Sequence, residues 1–215
     1  MGTVQFGAPK ESILYLRDAM GLTTLVEGGT YQGGTAKWAA GCFDQVFTIE
    51  NSPEMYRIAE QNLSGISNIT MLQGDSRQHL PTIVSKNDNM IYWLDAHWSG
   101  GVTYGQDDEC PLLEELEIVF ASERNHVVLI DDARLFLAPP PSPHRRENWP
   151  TLLEITRALP DGWDCLCHDD VLAITPNSIQ AEYRDFMQRQ ITESAKEQKV
   201  AKPNMLRRLR DKVTS

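Results

Sequence analysis

Acidic side chains in this sequence collect at the ends of short apolar runs, each followed by a polar turn. Glu27 closes the run that begins at Thr23, and Glu50 closes Gln45–Glu50. Asp75 and Ser76 follow 68–72, Asp95 follows 90–94 with His97 two residues on, and Asp131 and Asp132 follow 126–130. A carboxylate offers two acceptor oxygens and can take both hydroxyls of a ribose. Adjacent acids such as Asp131 and Asp132 repel each other unless a cation lies between them. With Asp95 they give three carboxylates, and oxygen-only ligation selects Mg²⁺ or Ca²⁺ over zinc. A histidine titrates near the working pH, so His97 is either a general base or a partly buried residue that orders its loop.

The densest of these stretches is 25–36, where Gly28, Gly29, Gly33 and Gly34 fall within seven residues after a short apolar run. Glycine admits positive φ and lets a ligand approach bare backbone. The dinucleotide pattern G-x-G-x-x-G fails, because Thr30 or Tyr31 stands at its second glycine. The phosphate loop G-x-x-x-x-G-K-[ST] fits through Gly28, Gly33 and Thr35, but Gly34 occupies the lysine position. A turn with a carboxylate and no lysine suits a cationic ligand better than a polyphosphate.

What remains is Glu27-x-Gly29-x-x-x-Gly33-x-Thr35. It resembles the first motif of class I S-adenosylmethionine-dependent methyltransferases, in the form found in the catechol-type O-methyltransferases. The resemblance implies that the glycine turn passes under the methionine part of the cofactor, with Glu27 helping to hold its ammonium group. Glu50, 21 residues after Gly29, matches the spacing of a ribose-binding acid. Asp75 then stands where an acidic or hydroxyl residue meets the adenine amine, and Ser76 is a candidate cap for the next helix. The implied cofactor set is Glu27, Gly28, Gly29, Thr30, Gly33, Thr35, Glu50, Asn51, Asp75, Ser76 and Asp95. The acid after the fourth strand and the acid pair after the fifth also resemble the macrocin O-methyltransferase group, which implies a metal held by Asp95, Asp131 and Asp132 and His97 as base. Arg134 leaves a second account open, in which it pairs with Asp95 while Asp131 and Asp132 serve their own turns.

These residues need a scaffold that brings strand ends together. Apolar, β-branched runs alternate with segments of helical periodicity, which predicts an α/β sheet of parallel strands. A helix is expected from Pro9 to Met20 with Gly21 as its stop. Another follows Asn51 or Ser52 as cap, with Pro53 at its first position. Thr151 and Glu154 form a capping box. Runs at 163–167 and 171–175 flank His168-Asp169-Asp170 as a hairpin. The resemblance makes the whole a Rossmann-like methyltransferase fold: seven mostly parallel strands, a terminal antiparallel hairpin and helices on both faces. It covers residues 10 to 176, within a cofactor-binding domain predicted over 1–176.

Between the fourth and fifth strands, 99–110 is rich in glycine and acid and suits a mobile flap. Asp107, Asp108 and Glu109 are expected to complement the dipole of the helix that follows. The proline-rich stretch 137–150 reads as a stiff wall of the acceptor pocket. The extension 177–215 is predicted as a charged helix broken at Pro203, then a short basic one. It holds nine Lys/Arg against five Asp/Glu, a net of +4, which leaves −14 for the rest of the chain. An acidic body argues against nucleic acid as the main partner. The extension suits packing, homodimer formation through its helices, or an acidic partner.

Apolar residues make up 41% and charged residues 23% of the 215, as in ordinary globular domains. No apolar run reaches bilayer length, and no charged-then-apolar leader opens the sequence. Cys42, Cys110, Cys165 and Cys167 form no zinc spacing and are expected to be reduced. A cytoplasmic location is therefore expected. Three functions remain open: Mg²⁺-assisted methyl transfer to a hydroxyl of a small-molecule acceptor, a binding or scaffold module on the same fold, and another metal enzyme on a Rossmann-like scaffold.

Overall fold

The computed structural model describes residues 7–86, 88–95 and 108–213, with side chains through residue 196. Helix α1 (Lys10–Met20) precedes β1 (Thr24–Gly28), α2 (Gly34–Ala39), β2 (Gln45–Glu50), α3 (Pro53–Asn62), β3 (Ile69–Gln73), α4 (Ser76–Val84) and β4 (Ile91–Leu94). Then come α5 (Leu112–Phe120), β5 (Val127–Ile130), α6 (Arg134–Leu137), α7 (Leu152–Arg157), β6 (Trp163–His168), β7 (Val171–Pro176) and α8 (Asn177–Val213). The chain divides into two compact units, 1–177 and 178–215.

The seven strands form one sheet in the order β3-β2-β1-β4-β5-β7-β6. The pairs among β1 to β5 are parallel, and β7 runs antiparallel to both β5 and β6. This is the predicted architecture. Its central strands are buried along their whole length, and β4 and β5 accordingly read as unbroken apolar runs. On one face Val26, Tyr92, Leu94, Val128 and Ile130 pack with Leu80 and Ile83 of α4 and Leu112, Leu116 and Val119 of α5. The alternate residues Leu25, Ile91, Trp93, Val127 and Leu129 face the other way and are also buried, so both faces are covered.

Register sets the site. Gly28 pairs with Ile49 and with Leu94, and Leu94 pairs with Ile130. The next residues along the carboxyl edge are therefore Gly29, Glu50, Asp95 and Asp131, in one row. Strand order reverses between β1 and its neighbours β2 and β4, and such switch points open a crevice at the carboxyl ends of the strands.

Local signals behave as read. Gly21 takes the left-handed conformation at the end of α1, Ser52 accepts the Met55 amide at the start of α3, and the Thr151–Glu154 capping box is complete. Asp169 and Asp170 both have positive φ, as a two-residue hairpin turn between β6 and β7 requires. The predicted break at Pro203 is absent, for α8 is one helix of 37 residues. A proline removes one amide donor and crowds one carbonyl, and a long helix can bend around that loss without ending. In the second unit Tyr183 stacks on Phe186 with ring centroids 6.1 Å apart. Among the described residues no helix is long and apolar enough to cross a membrane.

Candidate active site

The glycine turn is shaped by two glycines with positive φ. Gly29 has φ 90° and its amide donates to the Ile49 carbonyl at 3.0 Å. Gly33 has φ 84° and ends the turn at the start of α2, and a Cβ there would lie 2.9 Å from Leu63 Cγ. Tyr31, between them, also has positive φ (49°) with an exposed ring, and its amide donates to Glu50 Oε2 at 2.8 Å. The sequence pattern leaves this position open, although an aromatic residue held left-handed within a glycine turn is the kind of local strain that collects at functional sites.

Glu27 is 1% exposed. The Thr48 hydroxyl donates to its Oε2 at 2.5 Å, and Thr30 joins Thr48 at 2.5 Å, so the three form a chain from turn to carboxyl. Thr35 also donates to Glu27. Both ends of the motif thus meet at one carboxyl, together with Thr48, which nothing in the sequence singled out. Burial pushes the Glu27 pKa up to about 8, against the two hydroxyls that lower it, and Glu50 adds to the rise.

Glu50 is held by backbone. Its Oε1 accepts the Ser52 amide at 2.8 Å, its Oε2 accepts Tyr31, and the Asn51 amide contributes a further bond. Burial still raises its pKa above the ordinary value. Asn51 therefore enters the site through its main chain. The amides fix this carboxylate in one orientation at the tip of β2.

At the β3 tip the expectation needs correction. Asp75, not Ser76, caps α4, accepting the Arg77 amide at 2.9 Å. Arg77 also binds both Asp75 oxygens through its guanidinium, which holds the Asp75 pKa below the usual carboxylate value. The same guanidinium reaches Asp108 at 2.6 Å and also binds Glu114. Ser76 is buried in the first turn and bonds Glu115.

Asp95 stands beside the glycine turn, its amide donating to the Gly28 carbonyl at 2.9 Å. Burial and then the charges of Asp131, Asp132 and Glu27 push its pKa up to about 9. Asp131 follows β5, its amide donating to Leu94 at 3.1 Å, and burial lifts its pKa to about 7 although it accepts the Asp132 amide. Asp132 has φ 58° and binds Arg134 at 2.6 Å. Arg134 binds Asp170 as well, through both its amide and its guanidinium. The alternative pairing of Arg134 with Asp95 is thus not what forms. The sequence marks Asp170 only as a hairpin residue, because the hairpin lies about 40 residues beyond β5 in sequence and beside it only in the sheet.

Among the described residues, no group of three Asp, Glu, His or Cys side chains converges as a metal cluster. Asp132 is committed to Arg134, whereas Asp95 and Asp131 keep hard oxygen donors under mutual repulsion. Mg²⁺ retains much of its water and takes one or two protein carboxylates, so the donor chemistry of these two residues fits it. His97 lies outside the described residues.

Glu109 departs from the expected dipole role. Its carboxylate, 1% exposed, accepts the Trp149 indole at 2.6 Å, the Arg145 amide at 2.9 Å and bonds His144 at 3.2 Å. It fastens the proline-rich loop to the start of α5. That loop includes a 3-10 turn at Arg146–Asn148 and buries Trp149 against Phe136, so it is not a uniform polyproline rod.

No protein-family model matches the chain, and no curated protein matches it in sequence. Solved structures do. The O-methyltransferase TomG of Streptomyces achromogenes, involved in tomaymycin synthesis and solved with S-adenosylmethionine, is 15% identical with a TM-score of 0.56 over 80% of this chain and 81% of that one. An O-methyltransferase of Bacillus cereus, solved with S-adenosylhomocysteine, is 16% identical with a TM-score of 0.56 over 79% and 82%. A Podospora anserina methyltransferase, also bound to S-adenosylhomocysteine, is 17% identical with a TM-score of 0.55 over 80% of both chains. At these identities the likeness is one of fold: the chain has the Rossmann-like methyltransferase fold.

Proposed function

We propose that this protein binds S-adenosylmethionine and transfers its methyl group to a hydroxyl of a small molecule, with Mg²⁺ held by Asp95 and Asp131. The observation that carries the reading is the row of carboxyl groups on the switch-point crevice, with Glu27 behind it and no lysine in the turn. Bound there, S-adenosylmethionine supplies a methyl group on a sulfonium cation. Glu27 and Asp95, each with proton affinity raised by burial, gain ionisation when a cationic ligand enters. Glu50 is arranged for the ribose hydroxyls, and the bare backbone at Gly28 and Gly29 leaves room for the methionine part. Asp95 and Asp131 would hold the cation, which supplies acidification of an acceptor oxygen. His97, two residues beyond Asp95, is the proposed base that takes the hydroxyl proton. Most of the acceleration in such a site comes from placement and charge stabilisation.

Turnover assays against a panel of sugar, polyketide and phenolic hydroxyls test the reading. Chelator should abolish methyl transfer while circular dichroism stays unchanged, and Mg²⁺ should restore it. Transfer that survives chelation would remove the metal and leave methyl transfer standing. Cofactor binding with no transfer to any member of the panel would favour a binding module.

A further inference from the structure

Two buried glutamates flank the start of α5, and they differ in one respect. Glu109 has donors on both oxygens. Glu115, also 1% exposed, takes the Ser76 hydroxyl on one oxygen, and its Oε1 is the buried side-chain oxygen left without a donor among the described residues. A buried acceptor without a donor is costly, and a native fold that keeps one calls for a reason.

Its position supplies one. Glu50 pairs in register with Gln73, and the Gly74 amide donates to the Glu50 carbonyl at 2.9 Å. Ser76 lies two residues further, in the first turn of α4, and carries Glu115 on its hydroxyl. Glu115 therefore lies beside the turn that follows β3, the strand next to the one that ends in Glu50. Asp75, the acid in sequence closest to it, is not free to serve: both of its oxygens are taken by Arg77, at 2.5 to 3.1 Å.

We infer that Glu115 is the residue that selects the base of the cofactor, its Oε1 accepting a hydrogen bond from the exocyclic amine of adenine. The inference rests on the S-adenosylmethionine reading above. Asp75 is then a positioning residue, which fixes the turn and Arg77 around the base.

The test is calorimetric titration of the full chain with S-adenosylhomocysteine and with S-inosylhomocysteine, in which a carbonyl replaces the amine. Wild type should prefer the adenine compound by about tenfold, the scale of one buried hydrogen bond left unmade. Glu115→Leu, with no acceptor, should lose that preference. In Glu115→Gln the side-chain amide can donate to the carbonyl, so the ratio should shrink or reverse even if the leucine variant fails to fold. An unchanged ratio in Glu115→Gln would overturn the assignment. So would a preference that Asp75→Asn abolishes and Glu115→Gln keeps. Wild type that binds the adenine compound without preference overturns the role of Glu115 and leaves the cofactor reading intact. Binding of neither compound overturns both.

Discussion

Asp95 donates its amide to the carbonyl of Gly28, one residue past Glu27, and the Glu27 carboxyl adds to the cost of ionising Asp95 at the centre of the carboxyl edge. Burial raises the proton affinity of both, so the folded protein holds protons that an unfolded chain would release at neutral pH.

The consequence is a stability that falls as pH rises. Asp131, Glu27 and Asp95 have folded pKa values of about 7, 8 and 9, above the ordinary carboxylate range near 4. Between those limits the native state binds more protons than the unfolded state, so the slope of unfolding free energy against pH is negative. Stability from these groups is whole below about pH 4 and lost as pH rises through about 7 to 9. Urea midpoints at pH 5, 7 and 9 should decline in that order, and Asp95→Asn should flatten the upper part of the decline. A wild-type midpoint that rises from 7 to 9 would contradict the raised values.

Glu50→Ala should weaken binding of S-adenosylhomocysteine by about 1–3 kcal/mol, the range for charged hydrogen bonds and the donors they leave behind. The Tyr31 and Ser52 amides lose their acceptor in the same change, so the glycine turn should also loosen. Titration calorimetry measures the first effect and amide exchange at residues 29–33 the second. Unchanged affinity would take Glu50 out of the site.

Much of this site was legible before the fold. The glycine turn, Glu50 and the acid pair stand at strand ends, and strand ends are marked by apolar runs that stop at polar residues. What was hidden depends on neighbours in space. Thr48 sits inside β2 and reads as a β-branched strand residue, yet its hydroxyl faces Glu27 across the sheet. Arg134 could be seen to matter, but its choice of Asp132 and Asp170 over Asp95 is decided by where the β6–β7 hairpin returns. Glu109 looked like one more acid before a helix, and only the return of the loop 144–149 reveals three donors converging on it.

Glu109→Leu leaves the Trp149 indole and the Arg145 amide without their acceptor. Trp149 is buried whereas Arg145 is exposed, and one unsatisfied buried donor costs about 1–3 kcal/mol, so the variant should lose about that much stability. Glu109→Gln, which keeps one acceptor oxygen, should lose less. Urea unfolding followed by tryptophan fluorescence reads the effect. Equal stability of wild type and the leucine variant would mean that the clamp on the loop is not needed for the fold.

The crevice should take a cationic nucleoside and not a polyphosphate. Titration calorimetry of the wild-type chain with S-adenosylmethionine, NAD and ATP in turn, each in the presence of Mg²⁺, tests it. One S-adenosylmethionine should bind saturably per chain, with no saturable heat from NAD or ATP. Absence of S-adenosylmethionine binding, or binding of NAD or ATP with equal affinity, would contradict it.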